Sequence, residues 1–186
     1  MAGYHESVVK LSIIRKIKFM TKLIQNFLDI VMLKKGPDII PSSWLVFLVS
    51  LILLVISSSS VLILINDDST QEPLINLTAY SSGLLFYCFI IIFYGYANRA
   101  LQSISAIIAC GSLITITFVV VFIFFAPFLG VNFASVIAGL IMLWSIPVEG
   151  HIIASAINKK RSFGILIALS ALCFQFFVQN QILNQS

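Results

Sequence analysis

Charge is what this sequence has least of. Only 10% of its 186 residues are Asp, Glu, Lys or Arg, while 60% are hydrophobic. A soluble domain carries roughly 25% charged residues. From Ala100 to Val148 no side chain is charged at all. A chain this short has too little polar surface to hide so much apolar material from water, so its solvent is lipid. The mean hydropathy of +1.08 agrees. Catalytic signatures are missing as well: there is no Gly-rich phosphate loop, no zinc-protease helix motif and no nucleophile elbow. Histidine is scarce, with only His5 and His151, so a hydrolytic set lacks both a base and an orienting partner. These absences predict a non-enzyme with no cofactor and no metal. Cys88, Cys110 and Cys173 all fall in apolar runs. They read as small buried hydrophobes rather than a disulfide framework or a metal site. An ordinary signal peptide is absent, so the first span is expected to act as its own insertion signal.

The charge that is present is placed with purpose. The net charge is +4, from 11 Lys and Arg against 7 Asp and Glu. The basic residues occupy three regions, from Lys10 to Lys35, at Arg99, and from Lys159 to Arg161. None interrupts a long apolar run, and none is interleaved with aromatics as a nucleic-acid groove needs, so no nucleic-acid partner is expected. The pattern is that of a membrane surface.

Between the polar punctuation lie five apolar runs, predicting an all-α polytopic membrane protein with spans at about 44–65, 80–97, 103–126, 131–157 and 163–179. One span takes about 20 residues. The uncharged stretch from Ala100 to Val148 therefore needs two, and Pro127 to Asn132 supplies the turn chemistry between them. With five crossings and a cytoplasmic start, every Lys and Arg falls on the cytoplasmic side, and the acidic loop with Asp67, Asp68 and Glu72 falls outside. That predicts an integral membrane protein with its amino-terminus in the cytoplasm and its carboxy-terminus outside. A four-span version, with the last run re-entrant, is the alternative.

Residues 1–35 form a separate segment. From Ser7 to Leu33, Val9, Ile13, Ile17, Met20, Ile24, Phe27 and Val31 recur at steps of three and four. Arg15, Lys18, Lys22, Gln25 and Asp29 form the opposing stripe. This is a basic amphipathic helix, suited to lie at the cytoplasmic headgroups with its basic face toward anionic lipid; the other reading packs it on a partner protein or on the rest of the domain. A connector at 36–43, with Gly36-Pro37 and Pro41, turns the chain into the membrane domain of 44–186.

One residue invites chemistry. Glu149 is the only carboxylate inside a span. From Lys159 it lies about 15 Å along a helix, at about 1.5 Å per residue, near the middle of a hydrocarbon core about 30 Å thick. No span offers Lys or Arg to neutralise it, so it needs a polar partner, a proton or a wet cavity. His151 lies about 200° around the helix and points away. Ser135, Gly139, Met142 and Ser145 share the stripe of Glu149, whose small residues would admit a close neighbour. Ser57 and Ser58, in the run to Ser60, are candidate hydroxyl donors, and Pro147 is expected to kink the span. The candidate intramembrane polar site is thus Glu149, Ser145, Ser57, Ser58 and His151. The candidate surface residues are Arg15, Lys18, Lys22, Lys159, Lys160 and Arg161. Asn76-Leu77-Thr78 matches a glycosylation acceptor.

From Pro37 to Val178 the chain resembles the Yip family of small membrane proteins, particularly its bacterial members. The likeness rests on the basic amphipathic start and the Gly-Pro connector. It rests also on the Ser/Gly-containing third span around Ser103 to Ser112, and on Trp144-Ser145-Ile146 with Gly150-His151-Ile152 before a short basic loop and an apolar last helix. The resemblance implies a five-helix fold; the family's eukaryotic members are associated with vesicle trafficking and membrane shaping. Glu149 departs from the apolar residue expected there, so no functional residue is carried over. The resulting expectation is a non-enzymatic membrane adaptor or scaffold, assembling with itself or with a membrane or cytoplasmic partner protein. The alternative is a small oligomeric transporter or channel that uses Glu149.

Overall fold

The computed structural model describes residues 18–65 and 71–184. His5, Arg15, the first part of the amphipathic stripe, and Asp67 and Asp68 lie outside the described residues. Among the described residues all regular structure is helical. The described part of the first helix, α1, covers residues 18–31. It is followed by α2 (Trp44–Ile65), α3 (Gln71–Phe93), α4 (Ala100–Leu129), α5 (Val131–Leu143), α6 (Ser145–Ala156) and α7 (Arg161–Leu183). Short 3-10 turns at Pro37–Ile39 and Ala97–Arg99 join α1 to α2 and α3 to α4. Five stretches are long and apolar enough to cross a membrane: Trp44–Leu64, Ile75–Phe93, Ala97–Leu129, Val131–Ala156 and Arg161–Leu183. The chain is an integral membrane protein of five helical spans.

Helices suit these apolar runs because each backbone group is satisfied within its own segment, as hydrocarbon demands. The hydroxyls follow the same logic. Ser50, Ser59, Ser60, Ser112 and Ser170 each donate to the carbonyl four residues back, at 2.7–2.9 Å, which hides a polar group without a neighbouring helix. α4 is the hub, packed against α2, α5, α6 and α3; α7 closes the bundle against α6 and α3. The core at that hub joins Tyr87 and Ile91 of α3, Ala106, Ile107, Ala109 and Cys110 of α4, and Val148, Ile152 and Ile153 of α6.

Several boundaries differ from the sequence reading, each for a local reason. The second span begins before Tyr80, at Ile75, in a helix that starts at Gln71. Ile75 and Ala79 of that helix are buried against the bundle, so its apolar face starts ahead of Tyr80. The helix ends at Phe93 instead of 97, with Gly95 at φ +82 and the bonds Gly95 N–H to Ile92 O and Tyr96 N–H to Ile91 O, a Schellman ending. The turn expected over Pro127 to Asn132 is a single residue. α4 runs through Pro127 to Leu129, and only Gly130, at φ +80 and ψ 156, leaves helical geometry. The fourth span is two helices that break at Trp144, one turn ahead of Pro147. Pro147 has no N–H for the Leu143 carbonyl, so the ladder opens there. The last run extends to Leu183 rather than 179 and is long enough to cross. Its glutamines continue the helix against α3: Gln179 Nε2 donates to Asn76 Oδ1 at 3.1 Å, and Gln175 packs over Gly83.

The amphipathic helix exists, but it is docked on the bundle. Leu23, Phe27 and Ile30, spaced i, i+4, i+7, are 2%, 1% and 0% exposed and belong to the main core. This is the intramolecular alternative to a helix whose apolar face meets only lipid. Met20, Ile24 and Leu28 flank the buried stripe and are exposed, as are Lys18 and Lys22. α1 therefore presents three faces: one to the bundle, one apolar and uncovered, one basic.

Candidate functional site

Glu149 does have a partner. Tyr87 Oη donates to Glu149 Oε2 at 2.6 Å, joining α3 to α6. Tyr87 is 1% exposed and Glu149 half-buried. Tyr80 and the Cys110 thiol lie within electrostatic range of the same carboxyl group, and the Tyr80 hydroxyl is 3.6 Å from where a Cβ on Gly111 would stand. Cys110 Sγ sits 3.8 Å from the Phe27 carbonyl oxygen, so the cluster reaches α1 as well. Sequence reasoning missed both tyrosines. The available signal was their spacing: seven residues place Tyr80 and Tyr87 on one face of a helix.

The other predicted members are not assembled around Glu149. Ser57 is buried, but its hydroxyl donates to Leu54 O in its own helix at 2.9 Å. Ser58 is exposed, and α2 packs on α4 rather than on α6. Ser145 opens α6 one turn before Glu149, yet no hydrogen bond joins their side chains. Ser135 is exposed and bonds to Val131 O, and a Cβ on Gly139 would meet nothing within 4 Å. The break at Trp144 separates that part of the stripe from Glu149. The close approach lies one residue further on. A Cβ on Gly164 would stand 1.9 Å from Gly150 O, and one on Gly150 would stand 2.7 Å from Ile165 Cα. The small residues Gly150 and Ala154 of α6 and Gly164 and Ala168 of α7 make this seam, the small-xxx-small arrangement of membrane helix pairs.

His151 points elsewhere, as its rotation predicts. It is 6% exposed, and its Nε2 lies 3.0 Å from Lys35 O. A carbonyl only accepts, so Nε2 carries a proton. Nδ1 is buried, with no hydrogen-bond partner among the described residues. This contact belongs to a larger clasp. Trp144 Nε1 donates to Val31 O at 3.0 Å, and Arg161 Nη2 to Leu33 O at 3.4 Å. Gln102 Nε2 donates to Pro37 O at 2.7 Å and also to Ile40 O, while Asn26 Nδ2 reaches Ile39 O at 3.4 Å. The last carbonyls of a helix have no intrahelical donor. Here α4, α6 and α7 supply side-chain donors to the end of α1 and to the connector. Leu33 turns the chain there at φ +57, a left-handed conformation that costs a side chain roughly 1–2 kcal/mol.

The candidate surface residues Lys159, Lys160 and Arg161 are exposed in the α6–α7 turn. Asn158 makes that turn at φ +54, and Lys159 N–H bonds to Ala154 O at 2.8 Å. Lys159 Nζ stands 5.9 Å from the Tyr94 ring centre, and Arg99 stands 5.3 Å from that of Tyr96. Arg99 Nη1 also reaches Ala156 O at 3.5 Å. Among the described residues, no three His, Cys, Asp or Glu side chains gather as metal ligands. The glycosylation pattern is helical, with Asn76 held by Gln179. A pocket opens beside Gly130, lined by Leu129, Asn132, Phe133 and Val136, at the opposite end of α4 from the clasp. No protein-family model matches the chain, and no curated protein or solved structure does.

Proposed function

We propose that this chain is a non-enzymatic scaffold or adaptor of the bacterial inner membrane, assembling with itself or with a partner protein at the cytoplasmic face. The observation that carries this reading is the Tyr87–Glu149 bond: the one carboxyl group within the spans is engaged in holding α3 to α6. His151 and Gln102 are used alike, holding the connector. Orientation is supported by the gathering of Arg99, Arg161, Lys34 and Lys35 at one end of the bundle, through the contacts of Arg99 with Ala156 and of Arg161 with Leu33. Positive charge collects on the cytoplasmic side, and five spans then carry the carboxy-terminus across. The uncovered faces of α1 are the surface offered there.

The test is purification of the full chain in mild detergent from its native host, paired with ion and proton flux into vesicles. A stable stoichiometric complex, no flux above empty vesicles, and an unchanged complex in Glu149→Gln are expected. Flux abolished by Glu149→Gln would overturn the scaffold. A transporter or channel is then the reading, favoured by the clustering of Tyr80, Tyr87 and Cys110 around Glu149.

A further inference from the structure

Two basic segments far apart in sequence meet at the clasp. Lys34 and Lys35 follow α1, and Lys159, Lys160 and Arg161 form the α6–α7 turn. Arg161 Nη2 lies 3.4 Å from the Leu33 carbonyl, His151 lies 3.0 Å from that of Lys35, and a Cβ on Gly36 would sit 3.2 Å from Ser155 Oγ. The nearby described carboxylates are Asp29, paired with Lys35 at 2.7 Å, and Asp38, within electrostatic range of His151. Five cations therefore face two carboxylates. Like charges brought together by a fold repel one another, and that repulsion opposes the docking of α1. An anion at the seam would offset it.

The surroundings specify which anion. The seam lies at the ends of α6 and α7, beside Tyr94 and Tyr96, at the level where aromatic side chains mark a membrane interface. Next to Lys34, Leu28 and Met32 of α1 are 47% and 62% exposed, an apolar strip beside the cationic one. A phosphodiester attached to acyl chains fits both halves. We infer that the seam between Lys34-Lys35 and Lys159-Lys160-Arg161 is a binding site for one anionic phospholipid, whose headgroup phosphate bridges the two segments and holds α1 against the bundle. This goes beyond the scaffold reading and does not depend on it. It also differs from the expectation that α1 meets anionic lipid through Lys18 and Lys22, which lie earlier on that helix.

The test uses the full chain in detergent, with native mass spectrometry and thermal unfolding. Phosphatidylglycerol, phosphatidylcholine and inorganic phosphate are added separately. One retained phosphatidylglycerol and a raised unfolding temperature are expected, with neither effect from phosphatidylcholine at the same concentration. Each cation near an anionic headgroup changes affinity about fivefold, so Lys34→Gln with Lys160→Gln should weaken retention about 25-fold. Lys18→Gln with Lys22→Gln should leave it within about twofold. Equal retention of both lipids overturns the site, and so does equal loss in the two double variants. Stabilisation by inorganic phosphate equal to that by phosphatidylglycerol overturns the lipid assignment. Should the Lys34/Lys160 variant fail to fold, the comparison of two lipids on the unaltered chain still decides.

Discussion

At the residue scale the decisive pair is Tyr87 and Glu149. Removing one partner of a buried hydrogen bond leaves the other unsatisfied, whereas Gln in place of Glu still accepts from the tyrosine. Glu149→Gln is therefore expected to fold and assemble normally. Tyr87→Phe and Glu149→Leu should each destabilise. Interhelical polar pairs in membranes couple by about 0.6 kcal/mol on average and at most about 1.7. A double-mutant cycle on detergent unfolding should fall in that range; a coupling near zero would show that the pair holds nothing. Glu149 stood out because charge is so rare in the spans. Its partner did not, because tyrosine is unremarkable in an apolar helix, and only the packing of α3 on α6 brings the two rings of that helix to the carboxyl group. The serines misled for the opposite reason: a hydroxyl in a membrane helix finds an acceptor in its own backbone, and Ser57 did.

At the element scale the seam of α6 and α7 carries the sharpest expectation. A methyl on Gly164 would meet the Gly150 carbonyl, which is backbone and cannot move aside. Gly164→Ala should cost about 1–3 kcal/mol, the usual range for overpacking. Gly139→Ala enters open space and should be neutral or stabilising by up to about 1 kcal/mol, since a helix gains when glycine is replaced. Unfolding of both variants in denaturing detergent checks the contrast; similar losses would mean that α6 and α7 do not pack so closely. The helices themselves were readable from uncharged length, but their ends were not. Gln175 and Gln179 look like the exit from a membrane until α3 is seen to receive them. Pro127 looks like a turn until Gly130 is seen to do the turning alone. Trp144, by contrast, gave no sign of serving α1: its indole N–H reaches Val31 O across 113 residues of sequence, a relation no local pattern contains. Trp144→Phe keeps the ring and removes that donor. It should increase protease cleavage near Lys34 and Lys35 without altering helix content by circular dichroism; unchanged cleavage would show that the bond does not hold α1.

At the scale of the whole molecule, the proposed orientation rests on five crossings and a basic end. Cysteines introduced at Asn158 and Asn132, in a background with the native cysteines replaced, should label from opposite sides of an intact membrane, Asn158 from the cytoplasm. Labelling of both from one side would remove a crossing between them. The clasp has a further consequence, in time rather than space. Synthesis runs from the amino-terminus at roughly 5–20 residues per second, so the Val31 carbonyl waits about 6–23 seconds for Trp144 to be made, and the Leu33 carbonyl, 128 residues from Arg161, waits longer. Until Cys110 and the rest of α4 are made, Leu23, Phe27 and Ile30 lack the core that they enter. A basic amphipathic helix in that position rests at the headgroups. Helix α1 thus leaves the ribosome well before the side chains that hold it, and the membrane surface that its sequence describes is where it waits.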